Sequence, residues 1–134
     1  MQPTLAILGI EHIAVVCKEP VSLAKWYAKT LGFVEVYNNK KTPPTLLLKA
    51  QNGIMIEFVP SEGRPRPTSD EKDEGWRHLA VQVSNIDQVM ADLTKKNVEW
   101  IGDVKIGSGG TARARFFKDP EANLIHIIER TGML

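Results

Sequence analysis

The sequence predicts an α+β fold built from two tandem βαβββ modules, and three observations lead there. Residues 9–16 (GIEHIAVV) and 75–82 (GWRHLAVQ) share one pattern: G-x-x-H, then Ile or Leu, then Ala-Val. Each copy is followed by one stretch of helical periodicity and then three strand-like runs. Between the copies lies a polar, proline-rich segment, residues 60–74 (PSEGRPRPTSDEKDE), with no periodicity of its own.

Ile10 to Val16 is short and rich in β-branched residues, which predicts a strand. Pro20 suits the first turn of a helix, and Leu23, Trp26, Tyr27 and Leu31 follow at helical spacing, with Gly32 placed as the stop. Strands are predicted at Phe33 to Tyr37, Thr45 to Lys49 and Ile54 to Val59, the last two joined by an Asn52-Gly53 hairpin turn. The second copy predicts a strand at Trp76 to Val83. A helix follows, with Ser84 and Asp87 as a capping box and Asn97 as its stop. Its apolar face is Ile86, Val89, Met90 and Leu93. Further strands are expected at Val98 to Ile101, Thr111 to Phe117 and Leu124 to Ile128.

A chain of 134 residues, 43% hydrophobic and 25% charged, can bury a self-supporting core. Its net charge of +1 implies no general attraction to nucleic acid or anionic membrane. Cys17 is the only cysteine, which rules out an intramolecular disulfide and favours a reducing compartment. The apolar N-terminus lacks a basic start and is broken by Glu11 and His12, unlike a signal peptide or a membrane span. A soluble, cytoplasmic protein is expected.

Strand alternation puts His12, Ala14 and Val16 on one face, and His78, Ala80 and Gln82 on the matching face of the second copy. The helix of each module needs the more apolar face, so both histidines are expected to point away from it. Glu57 lies opposite Ile56 and Phe58, and His126 opposite Ile125 and Ile127. A carboxylate among large aliphatics is costly to bury unless it is paired or binds a metal. Three neutral imidazoles and one carboxylate converging on one point suit a divalent transition metal. Singly, each has a plainer reading as a hydrogen-bonded core residue or a solvent-facing edge residue. Their recurrence at matching positions favours the metal.

Within T-A-R-A-R-F-F (111–117), packing of Ala112, Ala114 and Phe116 toward a helix would turn Arg113 and Arg115 to the histidine side. There they would bind a substrate carboxylate or phosphate. The alternative is a solvated pair on an edge strand. Gly107 to Gly110 (GSGG) reads as an active-site lid or an ordinary loop. Arg64 and Arg66 in the linker either cover the site or are solvated.

These residues together resemble the vicinal oxygen chelate superfamily, which includes glyoxalase I, methylmalonyl-CoA epimerase, extradiol dioxygenases and the fosfomycin and bleomycin resistance proteins. The resemblance rests on G-x-x-H-[IL]-A-V, W-Y-x-x-x-L-G-F (26–33), I-E-F (56–58) and D-P-x-x-N-x-I (119–125), and is closest to glyoxalase I. It implies a curved, barrel-like mixed sheet around a metal-binding cleft. Residues 1–134 would form one glyoxalase-like domain, with modules at about 8–60 and 75–130 and a linker at about 60–74. The implied metal ligands are His12, Glu57, His78 and His126. The last is a departure, because aligning Asp119-Pro120 and Asn123 with the family motif puts His126 where a Glu is usual. Ala122 likewise replaces a common Gly, and Glu129 faces the opposite side of its strand.

The function so implied is a metal-dependent lyase or isomerase. It would act on a small oxygenated substrate that chelates the ion through adjacent oxygens, with Glu57 as both ligand and catalytic base. Zinc or nickel is favoured, with iron or manganese next. A metal-dependent dioxygenase is one alternative. A non-catalytic small-molecule binding or resistance protein is another, which the full ring of ligands argues against. A homodimer is expected, with no nucleic-acid or membrane partner.

Overall fold

The computed structural model describes residues 6–66 and 70–132. The chain forms two compact units, Met1–Arg64 and Pro65–Leu134. Each carries one βαβββ module, as the repeated pattern predicts.

The first unit contains β1 (His12–Cys17), α1 (Pro20–Leu31), β2 (Val34–Asn38), β3 (Leu46–Lys49) and β4 (Met55–Pro60). Its sheet order is β1-β4-β3-β2, with β1 parallel to β4 and the other pairs antiparallel. Pro20 occupies the first turn of α1, where a missing N–H is harmless. Gly32 ends the helix at φ 77°, donating its N–H to the Ala28 carbonyl at 3.1 Å. The helix buries Leu23, Ala24 and Tyr27 while the sheet buries Leu46, Leu48, Ile56 and Phe58. Tyr27 meets Phe58 edge-on at 5.1 Å between ring centres. Burial of a ring such as Phe58 contributes roughly 1.5–3 kcal/mol. The Asn52-Gly53 turn forms as expected, Gly53 standing at φ 95° and donating to the Ala50 carbonyl at 3.0 Å.

The second unit contains β5 (Leu79–Gln82), α2 (Ile86–Lys95), β6 (Trp100–Ile106), β7 (Ala112–Lys118) and β8 (Leu124–Arg130). Its sheet order, β5-β8-β7-β6, repeats the first, with β5 parallel to β8. Ile86 and Leu93 of α2 are buried, as are Phe117, Ile125 and Ile127 of the sheet.

Of the boundaries that depart from the expected ones, three follow from identifiable local chemistry. The α2 cap is Asn85, whose side chain accepts from the Gln88 N–H at 3.1 Å, rather than Ser84. Asn85-x-x-Gln88 offers the same capping chemistry one residue later. Glu129 adds to it, accepting the Ile86 N–H at 2.8 Å. Strand β6 continues to Ile106 because its ladder shifts register between Ile101 and Lys105, around Gly102 at φ 73°. Strand β5 begins at Leu79, so Arg77 and His78 precede the ladder.

The D-P-x-x-N segment before β8 is a turn built on a buried carboxylate. Asp119 Oδ1 accepts the N–H groups of Glu121 and Asn123 at 2.8 and 3.0 Å, and Oδ2 accepts the Asn123 side-chain amide at 2.9 Å. Ala122 lies in the left-handed region at φ 67°, which explains a preference for glycine there. This turn starts β8 at Leu124 and so sets His126 opposite Phe116 of β7.

Candidate metal centre

Parallel pairing in the first unit sets Ala14 opposite Glu57. His12 therefore lies one step along the same sheet face from Glu57, opposite the face that carries Ile56 and Phe58. His12 Nε2 stands 3.9 Å from Glu57 Oε1, and both side chains are partly exposed. On the other side of the ring, Nδ1 lies 2.8 Å from Glu11 Oε1. A carboxylate can only accept, so Glu11 holds the proton on Nδ1 and leaves the Nε2 lone pair directed to the Glu57 side.

In the second unit Ala80 pairs with His126, and His78 precedes Ala80 by one pleat. The two imidazoles lie side by side, 4.4 Å between ring centres. Phe116 closes one flank, 4.8 Å from His126 and 5.3 Å from His78. His126 is only 8% exposed, yet neither of its ring nitrogens has a hydrogen-bond partner. Burial is the main reason its imidazole is pushed down to about 4, with the nearby His78 and Arg77 adding to the effect. His78 is also lowered, by burial and then by Arg77, with Glu71 working in the opposite direction.

A neutral, buried imidazole with idle nitrogens beside a second neutral imidazole is the donor chemistry a divalent transition metal takes. The residues therefore fit such an ion on chemical grounds. Each unit brings two of the expected ligands together. Among the described residues, no group of three or more His, Cys, Asp or Glu side chains stands gathered for a metal.

The family model of the Glyoxalase/Bleomycin resistance protein/Dioxygenase superfamily matches residues 9–127. The chain belongs to this superfamily. Two curated relatives are the uncharacterized proteins YwkD of Bacillus subtilis and YaeR of Escherichia coli. They are 25% and 26% identical over 129 residues, covering 94% of this chain and 100% and 99% of theirs. Among solved structures, a glyoxalase family protein from Enterococcus faecalis superposes with a TM-score of 0.78 at 24% identity. That alignment spans 93% of this chain and 100% of the other. TnmS3, an antibiotic binding protein from Streptomyces sp. CB03234, gives a TM-score of 0.72 at 18% identity over 95% and 99% of the two chains. At these identities the structures establish a shared fold. No helix among the described residues is long and apolar enough to cross a membrane.

Arg113 and Arg115 stand on the α2 side of the sheet and not on the histidine face, against the strand parity on which their expected substrate-binding role depended. Arg113 reaches Asp87 of α2 at 3.2 Å. Arg115 donates to the Gly102 carbonyl at 3.0 Å, approaches Met90 Sδ at 3.7 Å and covers the Trp100 ring at 4.9 Å. The F-F pair left the parity of the strand undecided. Phe117 is the fully buried ring, packed edge-on against Trp100 at 5.5 Å, and it carries Arg115 and Arg113 with it. Phe116, Ala114 and Ala112 consequently share the face of His126. The GSGG segment is a tight connection between β6 and β7, with Gly107 donating to the Ala112 carbonyl at 2.8 Å.

Two residues beside the imidazole pair escaped the sequence reading. Phe116 lies on the histidine face, the opposite of the helix-facing packing weighed for it. Arg77, on strict alternation, would have pointed away from His78. Because it precedes β5, its guanidinium instead swings over Phe116, 5.1 Å from the ring centre, and lies 3.3 Å from His78 Nδ1. The adjacency of Arg and His in G-W-R-H was the available signal.

Proposed function

We propose that the protein is a metal-dependent glyoxalase-like enzyme, a lyase or isomerase, with His12, Glu57, His78 and His126 as the ligands of a divalent ion. The carrying observation is His126, an imidazole buried with both nitrogens idle beside His78. Glu11 supports the reading by presenting the free Nε2 of His12 beside Glu57.

Three imidazoles and one carboxylate suit zinc or nickel, with iron or manganese as the next choice. Bound by one carboxylate, such an ion keeps net positive charge and supplies Lewis acidity toward adjacent oxygens of a small substrate. Glu57 is the only carboxylate in the ligand set, so it is the residue that takes and returns a proton next to a carbonyl. Proton shuttling between two ligand carboxylates is unavailable with His126 in the fourth place. A small-molecule substrate, a homodimer and a cytoplasmic location complete the reading, with the ligand pairs drawn from one chain or from two protomers.

A second reading, a small-molecule binding protein without turnover, is favoured by the likeness to the antibiotic binding protein TnmS3. Elemental analysis of purified protein separates the readings. One zinc or nickel per site is expected, and His126→Ala should lower occupancy by about tenfold or more, as loss of a buried ligand does. Iron with oxygen uptake would move the assignment to a dioxygenase. Full metal occupancy in the His126→Ala protein would remove the proposed ligand set.

A further inference from the structure

A cleft of 590 Å³ opens on the second unit, lined among others by Arg77, Trp76, Lys118, Ile101 and Leu124. Its floor is the histidine face of the sheet. Leu124 lies two residues before His126, Lys118 two after Phe116, and Ile101 pairs with Phe116. The imidazole pair and the cleft thus adjoin, with Arg77 at the boundary. The volume is of the order that holds a small organic molecule.

We infer that Arg77 and this cleft anchor an anionic arm, carboxylate or phosphate, of a ligand whose chelating end reaches the His78–His126 pair. The inference rests on the metal-centre reading above and names the class of ligand that site takes. Phe116 touches both imidazoles and lies under the Arg77 guanidinium, so one ring aligns the cation with the donor pair. A planar guanidinium held on an aromatic face keeps its edge free for two parallel hydrogen bonds to carboxylate or phosphate oxygens.

Both present partners of Arg77 are replaceable. Glu71 Oε2 lies 3.4 Å from Nη2, long for a charge-assisted hydrogen bond, and about half of each side chain is exposed. Its carboxylate stands where the anionic arm of a ligand would stand. The second partner, His78 Nδ1, can only accept from an arginine. A metal taken at Nδ1 uses that lone pair, and a metal taken at Nε2 requires a proton on Nδ1. Either way the arginine is released. Asp70, Glu71, Asp73 and Glu74 line the cleft against the cations Arg66, Arg77 and Lys118, a balance that disfavours a polyanion and points to a single anionic arm.

The test compares α-hydroxy acids with and without an added arm on the metal-loaded protein: malate against lactate, and 3-phosphoglycerate against glycerate. Calorimetry should show an armed acid binding about tenfold tighter than its parent, a difference of the size one charge-assisted contact supplies. Whichever arm gains identifies carboxylate or phosphate. Arg77→Gln should erase the gain while metal content and lactate binding stay unchanged. Arg77→Lys should keep part of it, and Glu71→Gln should enlarge it. Equal binding of armed and plain acids by the wild type, or a gain that survives Arg77→Gln, overturns the inference.

If the wild type binds no divalent ion, the metal-centre reading fails on its own. Arg77 is then read in the metal-free protein by NMR titration with succinate and with inorganic phosphate. Shifts of the Phe116 ring that vanish in Arg77→Gln support the anchoring role, and their absence in the wild type refutes it.

Discussion

His126 is held where a proton is costly: 8% exposed, flanked by Phe116 and His78, and within the field of Arg77. Its imidazole titrates near 6.5 in an unfolded chain and at about 4 in the fold. Between those values the unfolded state holds the extra proton, so stability is intact above about pH 6.5 and declines as the pH falls toward 4. Thermal melting of metal-free protein across this window should show that decline, and His126→Leu should flatten it. An unchanged slope in the variant would mean that other groups dominate acid unfolding. The residue was visible in the sequence as a histidine within L-I-H-I-I-E. Its idle nitrogens were not, since only packing decides whether a buried imidazole meets a partner.

At the level of elements, periodicity located the two α-helices and eight strands of the described residues, because each must bury one face and leave a period of 3.6 or 2. Register and ends depended on chemistry that several neighbouring residues could supply. Ser84 and Asn85 are both good caps, and the choice fell on Asn85, with the Glu129 carboxylate holding the next free N–H from across the unit. Asn85→Ala should lower stability by about 1 kcal/mol in chemical denaturation, the usual worth of such a cap. Ser84→Ala should leave stability nearly unchanged. The opposite ranking would restore Ser84 as the cap. The parity of β7 was similarly open, and the burial of Phe117 resolved it by turning Phe116 to the histidine face rather than toward a helix.

For the whole molecule, large apolar side chains remain exposed in and just before the outer strand of the first sheet, among them Ile10, Ile13 and Val16. Among the described residues β1 pairs with β4 alone and ends its sheet, and an edge strand beside apolar side chains is a template for pairing with another chain. Such an edge favours association, in keeping with the proposed homodimer. Light scattering should give a dimer rather than the 14.9 kDa monomer, and Ile10→Lys should shift the protein toward the monomer. A wild type that stays monomeric at high concentration would refute the dimer.

Residue order alone sufficed for the duplicated βαβββ pattern, for the strand faces that carry His12, Glu57, His78 and His126, and for the family those motifs mark. Such features repeat locally, and strand alternation carries them from sequence to face without reference to distant packing. Tertiary contacts decided which ring of the Phe116–Phe117 pair is buried, and hence that Arg113 and Arg115 attend α2. They also brought Arg77 over Phe116, because a residue just outside a ladder is free of its alternation and goes where a ring and a carboxylate receive it.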